Sequence, residues 1–319
     1  MWKYVLERCI WMIAVSLGVA FIIFSILYFI PGTPAERLLP DGATRAEVRE
    51  MEILLGLDKP YIVQLWNFLY GVFVKLDFGM SWTFRIPVTT ELFSRLPRTM
   101  LMGIAAISIS ALVGIPLGIT AAKNHGKWRD YGLLGLSMLF VSLPQFWVAL
   151  QSVIIFSKEL KWLPAYGIGG IQYYILPIIG WVLSGIATNA RQTRSSMLEV
   201  IRSDFVTTAR AKGQSEKVIT RKHMLPNALM PVITIIGGNL AFTIAGMAIT
   251  ERIFAVPGVG LLMLTAVNGR DYPTIRGCTI FFSVFCAAVY LLVDLIYAWL
   301  DPRIKAQYQS GGARRRARA

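Results

Sequence analysis

"TTARAKGQSEKVITRKHMLPNALMP", residues 207–231, is the most polar and basic stretch of an otherwise oily chain. It lies between two segments long enough to cross a bilayer. A basic helix–turn–helix in that position has three candidate occupants: nucleic acid, lipid, or a docked protein. The rest of the chain decides among them.

The 319 residues are 55% hydrophobic and only 16% charged, with a mean hydropathy of +0.56. Soluble domains carry about 25% charged residues. The deficit places the chain among integral membrane proteins. Cys9, Cys278 and Cys286 lie in or beside apolar segments without paired spacing. They read as small packing residues, not as a disulfide framework or a metal site.

A membrane-crossing helix needs about 20 apolar residues. Six stretches qualify: Cys9–Ile30, Met100–Ala122, Tyr131–Ser157, Ile171–Ala190, Ala228–Thr250 and Cys278–Leu300. The expected fold is therefore all-α, with six transmembrane helices. The first stretch follows Lys3 and Arg8 as a signal peptide would. Its apolar run is too long for that, and "LYFIPG" offers no small-residue cleavage site, so it reads as a retained span. Pro116, Pro144, Pro177 and Pro231 fall inside spans and each removes a backbone donor.

Charge sets the orientation. With the N-terminus inside, the cytoplasmic segments hold 19 basic and 6 acidic residues, and the outer segments 13 basic and 11 acidic. Basic residues collect on the cytoplasmic side, so topology alone accounts for the net charge of +14. Both termini are then expected in the cytoplasm. The outer piece from Pro31 to Arg98 is expected to form short amphipathic helices. The organisation reads as a span plus outer segment over 1–99, a membrane core over 100–305 with a cytoplasmic loop at 196–227, and a basic tail at 306–319.

Within the loop, Ser196 and Glu199 have capping-box spacing and predict a helix start. That helix is expected to run through "LEVIRSDFVTTARAK" to Gly213. Ser215 is placed to cap a second helix, which Pro226 is expected to close. Flanking spans would drive the membrane into a DNA duplex, which excludes major-groove reading. Docking a partner protein fits better than a plain linker, with Ala209, Ala211 and Gly213 giving a small-residue surface.

"TTARAKG", followed after nine residues by "HMLP", resembles the EAA loop of binding-protein-dependent ABC importer permeases. Ala209, Gly213, Leu225 and Pro226 match that pattern. Thr207 and Thr208 stand where it has Glu and Ala, and His223 replaces an apolar residue. "LGLDKP", "DFGMSW", "ERIFAVPGVG", "RDYP" and "DLIYAWLDPRIK" are similar to the dipeptide, oligopeptide and nickel branch, first of its two permease chains.

The resemblance implies a type I importer fold in which two permease chains share one pathway. It also implies two ATPase subunits, an extracytoplasmic substrate-binding protein, and a bacterial inner-membrane location. ATP and Mg belong to the ATPases; no Walker-type G-x-x-x-x-G-K-[ST] occurs here, so the chain is expected to be non-catalytic and to hold no cofactor. The coupling helix would lie around Thr207–Thr220, with Lys212, Glu216 and Arg221 able to pair with the ATPase.

For the pathway, Asn239 beside Gly238 in the fifth span and Gln145 in the third are candidates. Asp294 in the last span is expected to find a structural partner such as Arg303. A membrane enzyme would need clustered acids, bases or ligands, but His125 and His223 both fall on cytoplasmic loops. An ion-coupled transporter would need intramembrane charges and repeated halves. Short peptides are the favoured cargo, with nickel or a metal chelate as the alternative.

Overall fold

The computed structural model describes residues 2–40 and 42–300. Among them there is no strand, only an isolated bridge between Met80 and Pro87. Five helices are long and apolar enough to span a membrane: α1 (Trp2–Phe29), α5 (Val88–Lys123), α8 (Gln172–Ile201), α14 (Tyr272–Leu300) and α11 (Leu225–Gly246) with its N-terminal extension from Glu216. The sixth is a bent pair. α6 (Trp128–Ser142) and α7 (Gln145–Ser152), which continues as a π-helical turn to Glu159, meet at 92°. The sequence predicts one span here with Pro144 interrupting it; the structure makes that interruption a sharp bend. Leu143 takes an extended conformation ahead of Pro144, as residues before proline prefer, and that breaks the axis.

Short helices fill the outer segment: α2 (Pro34–Leu38), α3 (Arg45–Leu54) and α4 (Tyr61–Phe73). Thr44 and Glu47 close a reciprocal cap on α3: Glu47 Oε2 accepts the Thr44 N–H at 2.7 Å, and Thr44 Oγ1 accepts the Glu47 N–H at 3.4 Å. The Thr44 N–H, and after it the Thr44 hydroxyl, hold the Glu47 carboxyl below its ordinary range. α4 leaves Ile62 and Trp66 exposed, as an amphipathic helix would.

α5 and α8 pack along most of their length. Gly118 makes this approach feasible: a Cβ there would sit 2.5 Å from the Ala190 carbonyl oxygen and 2.6 Å from the Thr193 side chain. Two buried carboxylates stitch the bundle together, and both belong to the motifs quoted above. Asp271 of "RDYP" accepts from Ser81 Oγ at 2.5 Å, from the Trp82 N–H at 3.2 Å and from Thr274 Oγ1 at 2.9 Å. It thereby ties "DFGMSW" to the start of α14.

Glu251 lies in α12 (Ala248–Ile253), just before α13 (Val259–Asn268). It accepts from Thr99 Oγ1 at 2.6 Å and from the Leu261 N–H at 2.7 Å, while Thr99 Oγ1 accepts the Val259 N–H at 2.9 Å. Burial pushes the Glu251 carboxyl above its ordinary value. Thr99→Val would orphan a buried carboxylate oxygen and a buried N–H. Each such loss costs about 1–3 kcal/mol, so the thermal midpoint of the detergent-purified protein is expected to fall by several degrees. An unchanged midpoint would remove Glu251 from the stitching role.

Asp294 pairs with Arg8 of α1 at 3.0 Å. Arg303, the partner suggested by the sequence, lies outside the described residues, as does the 306–319 tail.

Candidate functional site: the hairpin between α8 and α11

The hairpin differs from its sequence expectation at both ends. Ser196 does not start a helix. It is buried in the last turns of α8, and its hydroxyl accepts from Gln192 Nε2 at 3.2 Å. α8 therefore continues to Ile201, well past the expected end of its span. Nor is there one helix from Leu198 to Lys212. The chain breaks at Arg202–Ser203, and Ser203 takes the extended conformation that precedes a helix start. α9 (Asp204–Ala211) follows.

At the other end, α10 (Glu216–Val218) begins after Ser215 as expected. Pro226 does not close it. A π-helical turn at Ile219–Met224 leads directly into α11, and Pro226, just past that turn, lies inside the run without ending it. Glu216–Gly246 is one continuous 31-residue helix.

Between α9 and α10 the turn rests on Gly213, whose φ of +73° is the left-handed conformation that favours glycine. The Gly213 N–H donates to the Arg210 carbonyl at 2.9 Å. Across the turn Arg210 Nε donates to Glu216 Oε1 at 2.6 Å, and His223 Nε2 lies 2.8 Å from Gln214 Oε1. The sequence reading left Glu216 free to pair with a partner subunit; here Arg210 occupies it. That guanidinium holds the Glu216 carboxyl below its ordinary range. Both groups are exposed, so the pair contributes little stability and mainly shapes the turn.

The hairpin has a buried and an exposed side. Val206 and Ala209 pack with Ile219, Met224 and Ala228 against Met197 and Ala122. Ala209, expected on the docking surface, is 5% exposed and faces inward. Leu225 is half-buried. Thr207, Thr208, Lys212, Gly213 and Pro226 are exposed. Phe205, 45% exposed beside Thr208, is an apolar contact that sequence reasoning missed. An aromatic out of register with the buried Val206 and Ala209 was the available signal.

Beneath the hairpin, Asp130 at the start of α6 is 1% exposed and takes a two-pronged contact from Arg194 of α8, through Nε to Oδ1 and through Nη2 to Oδ2 at 2.7 Å. The Gly126 N–H and His125 Nδ1 complete its shell at 3.1 and 3.0 Å. This pairing fixes the α5–α6 loop to the same end of α8 that carries α9.

The pathway candidates are more scattered. Gln145 opens α7 just past the Pro144 break, half-buried, and its carbonyl faces Gly180 of α8. Asn239 is half-buried on α11, and Gly238 faces the Tyr290 hydroxyl. No hydrogen bond joins Asn239 to Gln145 among the described residues.

A bundle of five spans and one bent pair, with an exposed hairpin between α8 and α11, is the architecture of a multi-pass membrane protein. The chain belongs to the family described as "Binding-protein-dependent transport system inner membrane component", which matches residues 114–306, and the family's N-terminal component matches residues 1–103. It is thus a membrane permease component of an ABC importer.

The dipeptide transport system permease protein DppB of Alkalihalophilus pseudofirmus is 36% identical over 337 residues, covering 96% of this chain and all of that one. The glutathione transport system permease protein GsiC of Salmonella typhimurium is 36% identical over 305 residues, covering 96% and 99%. Among solved structures, the MetNI methionine ABC transporter in an inward-facing form aligns with a TM-score of 0.56 at 16% identity, over 67% of this chain and 97% of that one. That likeness bears on the fold alone.

Proposed function

We propose that this chain forms half of the membrane pathway of an ATP-driven importer of short peptides, and that its hairpin receives the motion of the ATPase subunits. One observation carries the coupling role. The hairpin has a packed base and an open tip, and its second arm runs without a break into a membrane span. In this reading Thr207, Thr208, Lys212, Gly213 and Pro226 meet the ATPase, while Ala209, Leu225 and Glu216 hold the shape that is met.

A second homologous permease supplies the other half of the pathway. Two ATPase subunits bind ATP and Mg, and an extracytoplasmic binding protein delivers the peptide. Asn239, Gly238 and Gln145 are the residues we place along the route. Both termini lie in the cytoplasm, because the basic excess lies on that side. Peptide is favoured over nickel by the names of the dipeptide and glutathione relatives and by the lack of histidine on the outer side.

Uptake in a strain lacking this chain, with and without its restoration, tests the reading. Labelled di- and tripeptides are offered beside trace nickel. Restored peptide uptake is the expected result. Restored nickel uptake alone would overturn the cargo and keep the machine. Restoration of neither would remove the reading.

A further inference from the structure

Arg276 lies in the second turn of α14, where a buried guanidinium normally meets a carboxylate. It meets none. Its Nε is fully buried without a hydrogen-bond partner, and no ion pair reaches it among the described residues. Its carbon instead stands 4.5 Å from the ring of Phe24, 5.1 Å from Phe68 and 5.8 Å from Tyr272. Cation–π contact offsets part of the lost hydration. It leaves the planar N–H fork unused.

Tyr272 is a second orphan. It is 4% exposed, and its hydroxyl has no partner. Arg276 stands between two neighbouring cavities, about 340 and 270 Å³, which share Arg276, Gln64 and Leu57 in their walls. Tyr272 faces the smaller cavity and Lys59 the larger. Gln64 has already given its Nε2 to the Leu57 and Lys59 carbonyls, at 3.0 and 2.7 Å. The one carboxylate on the wall, Asp77, accepts the Gly79 N–H at 2.8 Å and makes no ion pair with Arg276. Buried polar groups are nearly always paired. Arg276 and Tyr272 meet at the smaller cavity with Lys59 across the shared wall, and the unused guanidinium fork there asks for an oxyanion with several oxygens.

We propose that this cavity binds the phosphate of a membrane phospholipid. An arginine fork matches two phosphate oxygens. The position favours a lipid as the source. The walls come from the end of α1, from α4 and from the start of α14. α1 exposes Phe21, Ile22 and Ile26 nearby, and α4 exposes Ile62 and Trp66, so acyl chains have an apolar flank beside the headgroup. α11, which carries the pathway candidates, contributes nothing to the wall. The inference requires a membrane-spanning chain and is independent of the peptide cargo.

Native mass spectrometry of the purified importer complex, titrated with phosphatidylglycerol, tests it. Diacylglycerol with the same chains lacks only the phosphate headgroup and should bind about tenfold more weakly. Arg276→Gln should weaken phosphatidylglycerol by a similar factor, and Arg276→Lys, keeping charge without the fork, by less. Tyr272→Phe removes only the orphaned hydroxyl. It should weaken the lipid several-fold with the thermal midpoint unchanged, which separates lost binding from lost folding. Equal binding of the two lipids, or wild-type binding by Tyr272→Phe and Arg276→Gln together, would overturn the site. Displacement of phosphatidylglycerol by a dipeptide, but not by its C-terminal amide, would assign the cavity to a substrate carboxylate and overturn the lipid.

Discussion

Asp130→Ala is expected to remove most of the folded, detergent-extractable protein. The substitution leaves Arg194 facing a site that a 1%-exposed carboxylate had filled. Breaking a buried ion pair from one side costs about 3–5 kcal/mol, because the surviving charge stays desolvated. The Arg194 side chain is 16% exposed and can recover some hydration, so the lower end of that range applies. The Gly126 N–H loses its acceptor as well, which loosens the loop between α5 and α6. Extracted protein and its thermal midpoint are the readouts. The double variant Asp130→Ala/Arg194→Met should recover much of the loss, since no charge is then stranded. Wild-type yield and midpoint in Asp130→Ala would show that the pair contributes no stability.

Gly213→Asp is expected to act in the opposite way, leaving the chain inserted and abolishing uptake. A Cβ at Gly213 would meet nothing within 4 Å, so this chain has room for a side chain there. The positive φ costs most L-residues about 1–2 kcal/mol, but Asp and Asn tolerate it better. A loss of uptake therefore reports on whatever seats against the tip. Membrane abundance should match wild type while ATP-driven uptake falls to background. Gly213→Asn separates bulk from charge. Uptake at the wild-type rate in the Asp variant would sink the coupling assignment.

Much of this architecture is legible in the sequence, because bilayer thickness imposes length and oiliness on every span. The bend after α6 is not. Composition summed over a window carries no direction, and proline is an ambiguous signal: Pro116, Pro177 and Pro231 all sit inside helices that continue. What sets Pro144 apart is the extended Leu143 before it, a backbone state rather than a residue type. Helix ends in the loop are hard to read from sequence for a related reason. Ser196 and Glu199 carry cap spacing, but the packing of Met197 against Ala122 and Val206 keeps α8 helical through them.

Within the hairpin, Gly213 and Ser215 were readable from local chemistry. The inward turn of Ala209 and the Arg210–Glu216 closure depend on how two arms fold together. Asp294 finding Arg8 is a contact between opposite ends of the chain, which no local pattern announces.

The unbroken run from Glu216 to Gly246 has a mechanical consequence. At 1.5 Å per residue, 31 residues make a strut about 46 Å long, enough to reach through a bilayer from below it. The first arm of the hairpin joins its own span through the break at Arg202–Ser203, where a pivot could form; the second has no such break. A thrust on the tip is therefore taken up unequally. The pivoted arm yields, and the strut slides or tilts as one piece. Under the proposed coupling role, a displacement at the tip would be carried along this one helix toward Asn239, much as a pushrod delivers its stroke at the far end.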